Sequence, residues 1–116
     1  MINLQVDEGY AFDYLSILEV KRNLYPSESK IITYRECADF LRDQMGYKLF
    51  DEILLSKEYA ELYKANEKTF YLVDAARNSG NVTAKQVDDA NMERFFCKQK
   101  LQNKFFEGIL REEKIV

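Results

Sequence analysis

The sequence predicts an all-α protein of roughly four to five helices, built on a long antiparallel helical hairpin in its C-terminal half. Three observations predict it. The chain of 116 residues holds one proline and four glycines, so its elements must be long, and long unbroken elements favour helices. Stop, turn and start signals crowd into Ser79-Gly80-Asn81-Val82-Thr83. Gly80 accepts the left-handed backbone that ends a helix, Thr83 with Gln86 makes a capping box, and Val82 with Val87 the matching hydrophobic staple. Apolar side chains recur at helical spacing on both sides of that turn, from Lys57 to Glu107.

Taken in order, Ile2, Leu4 and Val6 alternate with polar residues and read as a short extended arm or edge strand. Asp7 and Glu8 then place negative charge where a helix begins. The first helix is expected from Gly9 to Leu24, with a stripe of Ala11, Tyr14, Leu15, Leu18 and Arg22 widened by Phe12, Ile17 and Val20. Tyr25-Pro26 ends it, because the residue before proline avoids the helical region. Residues 27–32 read as a linker. Thr33 and Glu36 make a second capping box for a helix from Tyr34 to Met45, whose apolar face is Cys37, Ala38, Phe40 and Leu41. Gly46 is its stop.

Tyr47 to Leu55 reads as a short helix, and Ser56 either caps the next helix or sits in a continuous rod. The third long helix runs to Asn78 with the stripe Tyr59, Leu62, Tyr63, Asn66, Phe70 and Val73. The fourth runs from Ala84 to Glu107, ended by Gly108, with the stripe Val87, Asn91, Arg94/Phe95, Lys98, Leu101/Gln102 and Phe105. Each hairpin arm has roughly 23 residues and spans about 35 Å, whereas the first helix spans about 24 Å. That helix is too short to cover the hairpin alone, so the remainder is covered by the middle helices or by another subunit.

Composition sets outer limits. The length suits one domain, residues 1–116, and an apolar fraction of 47% argues against disorder. A formal charge of -3, from 17 basic and 20 acidic side chains, argues against non-specific nucleic-acid binding. No apolar run is long enough to span a membrane, and the first residues lack the basic and apolar regions of a secretory signal, so a cytoplasmic setting is expected. Cys37 and Cys97 lie far apart with no metal-like spacing and read as packed, reduced thiols. There is no histidine. That removes Ser-His-Asp and Cys-His catalysis and any His-based zinc site within one chain.

The polar residues on apolar faces are the candidate site: Asp13, Glu19, Lys21, Asn66, Asp74, Asn91, Arg94 and Lys98. Asn91, Arg94 and Lys98 share one helix face by their spacing. Buried charges need partners, so Arg94 and Lys98 are expected to meet carboxylates of the first helix or Asp74. Such a network fixes how the helices align, or it lines a pocket for an anionic ligand such as a phosphate or sugar nucleotide; the remaining reading is that these side chains are simply solvated. Glu58, Glu61, Glu67, Asp74, Asp88 and Asp89 suggest the carboxylates of all-α magnesium-dependent nucleotide pyrophosphohydrolases, but no second E-x-x-D element follows on the same face. Arg94, Lys98, Lys100 and Lys104 interleave with Phe95, Phe96, Phe105 and Phe106, a pattern that suits base stacking but fits core packing better.

Residues Gly9 to Lys21, GYAFDYLSILEVK, resemble the opening motif G-E-x-x-D-K-[LI]-[TS]-I-L-E-I-K of a family of small helical bacterial and phage proteins of unknown function. Asn66, Phe70 and Asp74 resemble a later Asn-aromatic-Asp helix of that family. Asn91, Arg94, Lys98, Leu101 and Gln102 resemble its N-D-x-R-x-x-x-K-x-x-I-N element. Tyr10, Tyr14 and Met92 depart from the charged residues of those motifs. The resemblance implies the helical fold and no assigned activity.

No catalytic residue, metal ligand or cofactor is expected. Phe96 and Leu110 lie off the main stripe of the last helix, and a second apolar face commonly marks an interface. The expected function is therefore an interaction or structural module that self-associates or binds a protein partner. The alternative is a small anion- or nucleotide-binding protein, with magnesium-dependent hydrolysis as its enzymatic form.

Overall fold

A computed structural model describes residue 2, residues 5–78 and residues 80–106. Five helices account for nearly all of it: α1 (Glu8–Leu24), α2 (Glu28–Met45), α3 (Tyr47–Leu54), α4 (Lys57–Asn78) and α5 (Ala84–Phe105). The pair α4 and α5 makes the most extensive contact, α1 lies against both, α2 packs on α1, and α3 bridges α2 to α4. This is the predicted all-α architecture on a C-terminal hairpin.

The hairpin turn forms as its residues dictate. Gly80 takes φ 70°, and its N–H reaches back to the Ala75 carbonyl at 3.3 Å. Thr83 Oγ1 accepts from the Gln86 N–H at 3.1 Å, while Gln86 Oε1 accepts from the Thr83 N–H at 2.8 Å. Both halves of the capping box are present. The expected end of this arm at Glu107 and Gly108, and Leu110 beyond it, lie outside the described residues.

Gly46 ends α2 at φ 90° and ψ 153°, a region open essentially to glycine alone. Ser56 settles the break between α3 and α4. Its hydroxyl donates to the Ile53 carbonyl at 2.6 Å and accepts from the Tyr59 N–H at 3.1 Å. One side chain thus closes the end of α3 and caps the start of α4, so residues 47–78 form two helices.

Four expectations are corrected. Among the described residues there is no strand; Ile2 and Val6 are exposed, and Leu4 lies outside the described residues. Residues 28–33 are helix, so α2 begins six residues before Tyr34. Ser27, immediately after Pro26, is its N-cap and accepts from the Lys30 N–H at 3.3 Å. Thr33 instead sits inside the helix and bonds the Ser29 carbonyl at 2.8 Å. The buried face of α1 centres on Phe12, Leu15, Ser16 and Val20, leaving Tyr14 exposed, and Phe40 of α2 is likewise exposed. The buried residues of α5 are Ala90, Cys97, Leu101 and Gln102: the expected Leu101/Gln102 step holds, but Ala90 and Cys97 take the inward places expected of Asn91 and Lys98, and Asn91 faces outward.

Phe12 is the centre of the core. Its ring lies 6.0 Å from Phe50 and meets Tyr59 edge-on at 6.3 Å, joining α1, α3 and α4. Leu15, Ile53, Leu62 and Leu101 are fully buried around it. Burying a side chain of this size contributes about 1.5–3 kcal/mol, so this cluster supplies the main drive for docking α1 on the hairpin.

Candidate functional site

Asn66 is the hub of a polar cluster inside this apolar frame. It sits on the core face of α4, 4% exposed. Its Nδ2 donates to Asp13 Oδ1 at 3.0 Å and to Ser16 Oγ at 2.6 Å. A carboxylate only accepts, so the amide must turn its NH2 group toward Asp13. Ser16 Oγ in turn donates to the Asp13 carbonyl at 2.8 Å. The other carboxylate oxygen of Asp13 receives Arg94 from α5 at 3.2 Å, and Arg94 also donates to Asn91 Oδ1 at 3.2 Å. Three helices meet on these five side chains. The side chains of Asp13 and Arg94 are 13% and 25% exposed, so their ion pair is shielded from water and screened less than a surface pair.

A second cluster lies further along α1. Tyr59 donates from its hydroxyl to Glu19 at 2.9 Å, and Arg22 stands 3.6 Å from the same carboxylate. Burial first, and the negative charge of Glu19 second, push the Tyr59 hydroxyl well above its ordinary pKa. Tyr34 is raised for the same two leading reasons, with the Arg22 guanidinium 4.2 Å above its ring.

The third contact joins the start of α1 to the end of α5. A helix leaves its first N–H groups without internal partners. Asp7 accepts from the Tyr10 N–H at 2.8 Å. The Gly9 N–H is instead taken by Gln102 Oε1 at 2.6 Å, across 93 residues of sequence. Gln102 also donates to Glu8 at 3.0 Å. A Cβ at position 9 would stand 2.9 Å from the Lys98 carbonyl oxygen, so glycine is required by the close approach of the two backbones. Lys98 lies over the rings of Tyr10 and Phe95, at 5.4 and 5.6 Å.

The structure therefore gathers Asp13, Asn66, Asn91 and Arg94 into one cluster and puts Glu19 in its neighbour. Arg94 meets Asp13 rather than Asp74, as one branch of the expectation held. Lys21 is exposed and lines a cavity with Asn66 and Arg94. Asp74 is half-buried on α4, apart from the Asn66 hub. Glu8, Ser16 and Tyr59 were not singled out as polar partners. A serine on the apolar side of α1 and a glycine inside a helix were the available signals, since an interior glycine costs about 1 kcal/mol without a packing reason.

Chemically, these groups are occupied with one another. Burial raises both cysteine thiols, with Glu61 and Glu93 adding to the effect at Cys97, so neither is an activated nucleophile. Among the described residues, no three carboxylate or thiol groups converge as a metal site. The chain matches no family model, no curated protein and no solved structure.

Proposed function

We propose that this chain is a helical interaction module that associates with a second copy of itself through the outer face of α5. The observation that carries the reading is the pair Met92 and Phe96, one turn apart and each more than half exposed on the side of α5 turned away from the core. They border a cleft of about 570 Å³ between α4 and α5, with Cys97 also lining it and Glu61, Lys64, Asp89, Glu93 and Lys100 around it. The charge order supports a two-fold arrangement. Apart from Lys85 in the first turn, the first part of α5 carries Asp88, Asp89 and Glu93, and the second part Lys98, Lys100 and Lys104. An antiparallel partner copy brings Met92 against Phe96 and Asp89 against Lys100, twice over, as an isologous contact requires, with both charges exchanging the exposed within-chain partners Lys85 and Glu61 that they hold in the single chain.

The residues behind the family resemblance support a structural role for the interior. Gly9, Asp13, Ser16, Glu19, Asn66, Arg94 and Gln102 are among the groups that seat α1 on the hairpin, and Asn91 holds Arg94 from within α5. On this reading the motif is a folding signature rather than an active site. The rival hydrolase needs carboxylates from two helices converging on hard cations. An open Arg94/Lys98 pair would have favoured the anion-binding form of that rival, but Arg94 is engaged with Asp13.

The test is size-exclusion chromatography with light scattering across a concentration series. The wild type is expected to dimerise, and Phe96→Ser to shift it to monomer with an unchanged circular dichroism spectrum. Asp89→Lys and Lys100→Asp should each weaken the dimer, and the double reversal should restore it. A strict monomer at high concentration overturns the proposal.

A further inference from the structure

A separate cavity of about 280 Å³ opens where α1 crosses α4 beside Arg94. We propose that it binds a small phosphate monoester whose ester group is apolar, of about the size of one aromatic ring. Its walls are of two kinds. Val20, Phe70 and Val73 supply apolar surface, and Lys21, Arg77 and Arg94 supply cations from three different helices. Such a mix of apolar lining with a few placed polar groups is the usual character of a small-molecule site, and the volume falls just below the usual range of about 300–1,000 Å³, which limits the ligand to a small one.

Charge decides the head group. Asp13 balances Arg94. Among the described residues, Lys21 and Arg77 have no carboxylate within ion-pair distance, and their long stems can lie along the apolar wall with the charged ends at its mouth. Two cations outside any described ion pair match a phosphate monoester, which carries about -1.5 to -2 at neutral pH, better than a carboxylate. The planar fork of Arg77 suits phosphate oxygens. Arg94, already paired with Asp13, closes the inner end of the wall. The ring of Phe70, already 5.9 Å from Tyr25, offers the ester group an aromatic surface.

Phenyl phosphate, inorganic phosphate and benzoate are the probes, titrated into the full chain by calorimetry and by amide chemical-shift mapping. Phenyl phosphate is expected to shift Val20, Lys21, Phe70 and Arg77 and to bind at least about tenfold more tightly than either of the others. Lys21→Gln and Arg77→Gln, both at exposed positions, should each weaken it about tenfold while leaving the circular dichroism spectrum unchanged. Three results would overturn the proposal: no binding, shifts confined to other helices, or variants that bind as the wild type does. Inorganic phosphate binding equally well would remove the apolar half of the site, and benzoate binding equally well the dianionic half. Either counts against the assignment.

Discussion

Gly9→Ala makes a demanding test, because the general rule and this structure give opposite signs. Gly9 is the second residue of α1. In a helix, alanine is ordinarily favoured over glycine by about 1 kcal/mol, so the substitution should stabilise. The surroundings reverse this. The added Cβ falls 2.9 Å from the Lys98 carbonyl and 3.2 Å from both Cβ and Oε1 of Gln102. That carbonyl belongs to the interior of α5 and cannot swing aside as a side chain can, so the first turn of α1 has to lift. Overpacking of this kind costs about 1–3 kcal/mol. Lifting also stretches the bond from the Gly9 N–H to Gln102, now 2.6 Å, at about 1 kcal/mol. With the helix gain subtracted, the expected loss is about 1–3 kcal/mol, or roughly 4–15 °C in Tm. Urea denaturation followed by far-ultraviolet circular dichroism measures it, as a lower midpoint at unchanged slope. A variant as stable as the wild type, or more so, refutes the close-approach argument and with it the placing of α1 on α5.

Further outcomes follow from the same contacts. Asp13→Ala strands the Arg94 guanidinium. Breaking a fully buried pair costs about 3–5 kcal/mol, and with Arg94 25% exposed about 2 kcal/mol is expected. A double-mutant cycle with Arg94→Met should return a coupling of about 1–2 kcal/mol, and a value near zero would mean the pair does not form. Tyr59→Phe should change the alkaline limb of stability. The folded protein holds this proton more tightly than the unfolded chain, so its contribution is complete below about pH 10 and declines above it, by about 1.4 kcal/mol per pH unit. The phenylalanine variant should lose stability less steeply there, although Tyr34 leaves a residual slope; identical slopes would contradict the burial of this hydroxyl. Ser56→Ala removes the cap of α4 and should cost about 1 kcal/mol in chemical denaturation. No change would show that the break persists without the hydroxyl.

Punctuation was the most legible part of the sequence. Gly46, Gly80 and the Thr83–Gln86 box act locally, through their own backbone angles and neighbours, and each forms as expected. Helix faces were less legible. α1 carries apolar groups on every side, so hydrophobicity alone does not fix which side turns inward. Tyr14 looked like core and is exposed, while Ser16 is buried because Asn66, 50 residues away, satisfies its hydroxyl. Such long-range partners leave no periodic trace. The start of α2 was obscured by competition between two caps. Ser27 and Thr33 both suit the role, and exposed Ile31 and Ile32 do not distinguish a helix surface from a linker. That Arg94 meets a carboxylate of α1 or Asp74 was legible because the cost of an unpaired interior charge is a general rule; which carboxylate, Asp13, was not. Gln102 as the acceptor for the Gly9 N–H was not, since it depends on how closely two backbones approach.

The hydroxyl of Ser56 has a consequence for the outline of the whole molecule. Without an elbow there, residues 47–78 would form a single rod of about 48 Å at the ordinary helical rise, longer than the greatest extent of the protein, 43 Å. Bending at this point returns Phe50 and Ile53 to the ring of Phe12 instead of carrying them past it. It also explains why Leu55 is 88% exposed: the leucine stands at the apex of the bend, where neither helix extends far enough to shelter it.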